Sequence, residues 1–258
     1  VTFTATVSAS VGTASGTVDF FDGITLLGTS SLAGGVATFT TSSLLQGSHN
    51  VTGVYGGNTN FSSSTSNATT QVINQASTIT TLTAAPNPSV FGQSVTFTAT
   101  VSALSPGAGT PSGTVVFYDG VTAIGTGTLS SGTATFSTSS LVVGNSHSIT
   151  VVYGGDTNFT GSTSSATTQV VNQSGSTTTL TAVPNPSVFG QLVTFTATVG
   201  AVAPGAGTPS GTVVFYNGVT AIGTGTLSSG TATFSTSSLV VGNSHSITVV
   251  YGGDTNFT

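Results

Sequence analysis

The sequence predicts an all-β protein made of tandem antiparallel β-sandwiches, about seven strands each, arranged as an extended array. Three observations predict it. The stretch Pro86 to Val101, PNPSVFGQSVTFTATV, returns as Pro184 to Val199, PNPSVFGQLVTFTATV, and its last seven residues open the chain as Val1 to Val7. Self-similarity at a period of 98 residues marks a repeat protein. Within each period short segments alternate apolar and polar residues, as half-buried strands do, and Gly, Ser and Asn clusters separate them. Nothing in the chain has helical periodicity.

In Val1 to Val7 the apolar residues take odd positions and threonines even ones, which predicts a strand with β-branched residues on its wet face. Gly16 to Asp22 repeats the pattern, with Val18 and Phe20 pointing inward. Asp19, on the other face, becomes Val116 and Val214 in the later copies, so a charge is tolerated only outside. Asp22-Gly23 reads as a tight hairpin turn, because these residue types accept the positive φ such a turn demands. Its counterparts are Asp119-Gly120 and Asn217-Gly218. A carboxylate that becomes an amide in a matching copy is serving the backbone rather than a substrate or metal.

The chain continues through Leu32, Ala37, Phe39 and Leu44 to a strand in which His49, Val51 and Tyr55 share a parity. Tyr55 to Phe61 follows as a loop, and Thr69 to Ile73 as a last strand. Residues 1–73 thus read as a repeat lacking its N-terminal strand, 77–172 as a complete repeat, and 175–258 as one lacking its C-terminal strand. The short polar joints, 74–78 and 172–177, favour limited angles between neighbours over long tethers. After each joint, Pro86 and Pro88, and again Pro184 and Pro186, forbid ladder hydrogen bonds and mark an edge kink or a switch between sheets. The first residue opens a strand and the last falls inside a repeat, so the chain reads as a window on a longer protein.

Composition removes several functions. With Lys+Arg 0 there is nothing to hold a phosphate backbone or an anionic membrane surface, which excludes nucleic acid as a partner. No apolar run reaches the roughly 20 residues of a spanning helix, so no membrane insertion is expected. Without Cys there is no disulfide framework, which fits a reducing compartment or an exported protein alike. Charged residues at 2% leave a surface of Thr, Ser, Asn and Gly, far short of the interspersed charge that keeps most monomers apart. Such a surface invites self-association, or is covered by glycans. Asn-x-Ser/Thr triplets begin at Asn50, Asn60, Asn67, Asn158, Asn172 and Asn256, and in so polar a chain they are read as chance.

Four blocks stand in fixed order: TTLTAAPNPSVFGQSVTFTATV from Thr80, SGTVVFYDG from Ser112, GTATFSTSSL from Gly132, and HSITVVYGGDTNF from His147. This order resembles the bacterial Ig-like repeat family found in tandem in large surface and secreted proteins, and it covers essentially the whole chain. The resemblance implies Ig-like sandwiches, an extracellular or cell-surface setting, and modules that serve as stalks and spacers.

Three residue sets offer themselves as sites. His49, His147 and His245 stand one per repeat, so they do not converge on a metal. Each follows a Leu-x-x-Gly-type turn, where an imidazole N–H can bond back to the backbone as the tyrosine of an Ig-like corner does. Asp156 and Asp254, with Asn158 and Asn256 nearby, are weak calcium candidates, because calcium wants six to eight oxygens, usually with several carboxylates. The first copy has Asn58 there, and an Asx-turn is the favoured role. Tyr118 and Tyr216 lie on the outer strand face and offer a stacking surface for a sugar. No cofactor is expected, and no enzyme, since Glu and Lys are absent and the histidine has no catalytic partner pattern. The favoured function is the repeat unit of an extracellular fibre or surface array. The rivals are a passive stalk presenting an adhesin or enzyme outside this window, and a carbohydrate-binding array.

Overall fold

The computed structural model describes residues 1–242 and 244–258. The chain is all-β and divides into two compact units, Val1–Thr78 with Ala103–Pro111 and Gly155–Gly161, and Ile79–Ser102 with Ser112–Gly154 and Ser162–Thr258.

The first unit is built on the first copy of the repeat. β1 (Thr2–Thr6), β2 (Thr17–Asp22), β3 (Thr25–Ser31), β4 (Val36–Thr40), β5 (Gly47–Tyr55), β6 (Ser64–Thr65) and β7 (Thr69–Ile73) form two sheets. β1 pairs antiparallel with β4, putting Phe3 opposite Phe39 and Ala5 opposite Ala37. The facing sheet runs β3-β2-β5-β6, with β7 also on β5. Alternation sends Phe3, Val18, Phe20, Ala37, Val51 and Tyr55 inward, and the ring of Phe39 stacks on Phe20 with centroids 5.6 Å apart. The Tyr55 hydroxyl donates to Ser15 O at 2.8 Å, so the one polar atom of this large core side chain is satisfied.

The second copy carries β8 (Thr78–Ala85), β9 (Ser89–Val90), β10 (Val95–Ala103), β11 (Thr114–Asp119), β12 (Thr122–Thr128), β13 (Thr133–Thr138), β14 (Gly144–Gly155), β15 (Thr160–Thr163) and β16 (Thr167–Asn172). One sheet is ordered β13-β10-β8 and the other β12-β11-β14-β16-β9, with β15 on β14. β9 pairs in parallel with β16, so between β8 and β9 the chain crosses from one sheet to the other through Pro86 and Pro88. β9 and β15, two and four residues long, are too short to show a period of two, and so exceed the expected seven. Phe97, Phe117 and Phe136 meet in the core, the last two at 5.6 Å.

β17 (Ser176–Val183), β18 (Val193–Ala201), β19 (Thr212–Asn217), β20 (Thr220–Thr226), β21 (Thr231–Thr236) and β22 (Ile247–Tyr251) make the third copy, as sheets β17-β18-β21 and β20-β19-β22. Its core is Val193, Phe195, Ala197, Val199, Val213, Phe215, Leu227 and Ala232.

Each joint is knitted within its own unit. In the first unit Ala76 N–H donates to Asn158 O at 2.8 Å, Thr160 N–H returns to Ala76 O at 2.9 Å, and Gln75 Nε2 donates to Asp156 O at 2.7 Å. The second repeats the device: Ser174 N–H to Asn256 O at 2.9 Å, Thr258 N–H to Ser174 O at 2.9 Å, and Gln173 Nε2 to Asp254 O at 2.7 Å.

Candidate functional site

Every copy places its histidine against its C-terminal hairpin turn residue from β2, β11 or β19. Asp22 closes β2 opposite Val51 of β5, which brings its carboxylate under the strand segment carrying His49. Asp22 Oδ1 accepts from Asn50 N–H at 3.1 Å, and Oδ2 lies 2.7 Å from His49 Nδ1. His49 Nε2 donates to Leu45 O at 2.9 Å. In the second copy Asp119 Oδ2 is 2.6 Å from His147 Nδ1, and Nε2 donates to Val142 O at 2.9 Å. The third replaces the acid: Asn217 Nδ2 donates to His245 Nδ1 at 2.8 Å, and Nε2 donates to Val240 O at 3.0 Å. The turns themselves are closed by Gly23, Gly120 and Gly218, with φ of 57, 57 and 59°, whose N–H groups reach Asn50, Ser148 and Ser246 carbonyls.

A carboxylate and a carbonyl are both acceptors, so the partners of His49 and His147 favour the ring that donates from both nitrogens. His245 accepts from an amide on one side and donates to a carbonyl on the other. The hydrogen bond to Asp22, then the Leu45 carbonyl, raise the His49 pKa from its ordinary 6.5. At His147 burial works against the charge, but the Asp119 hydrogen bond, the Val142 carbonyl and the Asp119 charge prevail and raise it also. With both nitrogens occupied, none of these rings is placed to take a proton from a nucleophile. They clamp the turn to the loop before β5, β14 or β22.

A raised folded pKa means stabilisation that is complete below the ordinary value and lost as pH rises through the raised one. The thermal midpoint is therefore expected to fall as pH rises above the ordinary histidine value of 6.5, and a chain carrying Asp22→Asn and Asp119→Asn is expected to show a flatter profile. Equal slopes for the two proteins would remove the clamp as a source of pH dependence.

The aspartate loops are occupied by their own backbone. Asp156 Oδ1 accepts from Asn158 and Phe159 N–H at 2.8 and 3.0 Å. Asp254 Oδ1 does the same with Asn256 and Phe257 at 2.7 and 2.8 Å, while Oδ2 takes the Ser210 N–H at 2.8 Å and hydroxyl at 2.6 Å. Burial opposes ionisation of Asp254, but the Ser210 hydroxyl and these N–H groups hold its carboxyl down to about 2. Burial, with the Asp254 charge, pushes the neighbouring Tyr251 hydroxyl up to about 12. Asn58 reproduces the turn through its own Oδ1, at 2.8 and 3.0 Å from Asn60 and Phe61 N–H. Among the described residues no three His, Cys, Asp or Glu gather as a metal set.

Tyr118 and Tyr216 are half-buried beside a bulge that follows Phe117 and Phe215, opposite Ala123 and Ala221. Sequence reasoning missed the histidine–acid pair. The available signal was the constant offset of 27 or 28 residues between the turn residue and the histidine in all copies.

Among solved structures, the chain is similar to the fibronectin(III)-like modules of Clostridium thermocellum CbhA, 22% identical over 67% of this chain and 85% of that one, with a TM-score of 0.30. It is also similar to a Salmonella alpha-2-macroglobulin mutant, 11% identical over 91% of this chain and 20% of that one, TM-score 0.27. The trypsin-activated alpha-2-macroglobulin of Escherichia coli is 13% identical over 88% and 20%, TM-score 0.26. None of the curated proteins matches the sequence. The model of the bacterial Ig-like domain (group 3) matches residues 1–74, 82–172 and 180–258, and the chain belongs to that family.

Proposed function

We propose that this chain is a structural protein, the repeat unit of an extracellular fibre or surface array, and not an enzyme. The observation that carries this reading is the repetition of one joint: the same glutamine bonds, Gln75 to Asp156 O and Gln173 to Asp254 O, tie each linker to the following copy. A linker held in the same way to each copy it enters suits a load-bearing series. The polar side chains of the two loop clusters support the same reading, since they are spent on the backbone and leave no convergent reactive set. Membership in a bacterial Ig-like family supports an extracellular or surface location, and a surface with charged residues at 2% supports self-association.

Electron microscopy of native material tests this. Continuous filaments with a repeat of roughly 35–50 Å, the length of one sandwich plus its joint by strand rise, are the expected result. Separate rods ending in a distinct globule would instead make the chain a stalk.

A further inference from the structure

Residues 113–160 and 211–258 differ at one position, Asp119 against Asn217. Asn217 is also the only asparagine of the chain that a glycine follows. That pairing carries its own chemistry. Asparagine is a labile side chain in water, and a following glycine, having no Cβ, gives its backbone nitrogen the least hindered approach to the side-chain carbonyl. The amide most open to this reaction thus stands where the other two copies have an acid, at Asp22-Gly23 and Asp119-Gly120.

The fold leaves room for the reaction and a seat for its product. Gly218 is exposed, and nothing lies within 4 Å of its Cβ position, so a ring closing there meets no neighbour. Asn217 is half-buried, with Nδ2, the nitrogen that has to leave, 2.8 Å from His245 Nδ1. The same seat already holds a carboxylate twice. Oδ2 of Asp22 and of Asp119 stand 2.7 and 2.6 Å from Nδ1 of His49 and His147, on turns whose glycines have φ of 57° against 59° at Gly218. One restraint opposes the reaction: Gly218 N–H donates to Ser246 O at 2.9 Å, and the attacking nitrogen is free only while that bond is open.

We propose that Asn217 is a spontaneous modification site, at which the amide becomes a carboxylate without an enzyme and the third copy acquires the histidine–acid clamp of the first two. The Gly218 nitrogen loses its proton and bonds to Cγ of Asn217, the Cγ–Nδ2 bond breaks, and ammonia leaves with that proton. Water then opens the cyclic imide. Attack at Cγ restores the peptide bond and gives aspartate, whereas attack at the backbone carbonyl gives an isoaspartyl link with one more carbon in the main chain. The hairpin register, Asn217 opposite Thr220, is kept by the first product and broken by the second. Each conversion adds a negative charge to a chain whose formal net charge is -5.

The folded chain is to be aged in water enriched in heavy oxygen, beside an excised peptide of residues 212–222 as a clock for the unrestrained reaction. Mass spectrometry after cleavage at aromatic residues is expected to show loss of the amide and gain of heavy oxygen at Asn217, more slowly than in the peptide and ahead of every other asparagine. Asn217→Gln, which would have to close a larger ring, is expected to stay unconverted. The histidine NMR signals of the aged chain are expected to move to those of the Asn217→Asp chain. A folded chain in which Asn217 converts no faster than the other asparagines overturns the site. Conversion that ends in the isoaspartyl link, or histidine signals unlike those of Asn217→Asp, overturns the clamp as its product.

Discussion

Gly125→Ala is expected to destabilise the second copy by about 1–3 kcal/mol, the cost of overpacking a filled core. A Cβ at Gly125 would stand 2.3 Å from Cε2 of Phe136. That ring cannot swing away freely, because Phe117 lies 5.6 Å and Phe97 6.5 Å from it. The glycine has no positive φ, so backbone strain plays no part and alanine would otherwise favour the strand. The same close approach occurs at Gly28 under Phe39 and at Gly223 under Phe234. A urea-denaturation double-mutant cycle isolates the clash: in a Phe136→Leu background the cost of Gly125→Ala should shrink markedly. An unshifted midpoint for Gly125→Ala alone would mean that the ring does not rest on the strand.

Phe117→Ala is expected to cost more, about 3–5 kcal/mol, from lost transfer energy and the cavity left behind. Phe117 is fully buried and touches the rings of Phe97 and Phe136 from the facing sheet, so no neighbour can collapse into the space without breaking its own packing. The control is Phe189→Ala, the same chemical change at a 74% exposed side chain, expected to stay within about 0.5 kcal/mol. Similar losses for the two variants would show that the second-copy core is not the source of stability.

The strands were legible because period-two alternation and β-branched residues encode burial residue by residue. Val95, Phe97, Ala99 and Val101 are all buried, and the threonines between them are not. The sandwich class followed from the strand count. What escaped were contacts between residues far apart in sequence. The pairing of Asp119 with His147 depends on the register that sets β11 against β14, and alternation within one strand does not carry register to another. The Asp-to-Asn difference at 119 and 217 reads in the sequence as turn chemistry that loses a charge, and only the fold shows that the carboxylate accepts at its facing histidine where the amide donates. The glycines under Phe39, Phe136 and Phe234 were invisible for a related reason: a missing Cβ is meaningful only once the ring above it is placed.

The chain contains neither Lys nor Arg, so the histidines of β5 and β14 are where its first two copies gain a side-chain cation on protonation. Because the fold raises both pKa values, those copies bind protons as they fold just above the ordinary histidine pKa. Their folding heat should then vary with the ionisation heat of the buffer. A carboxylate at one turn is enough to make a module draw on the acidity of its surroundings.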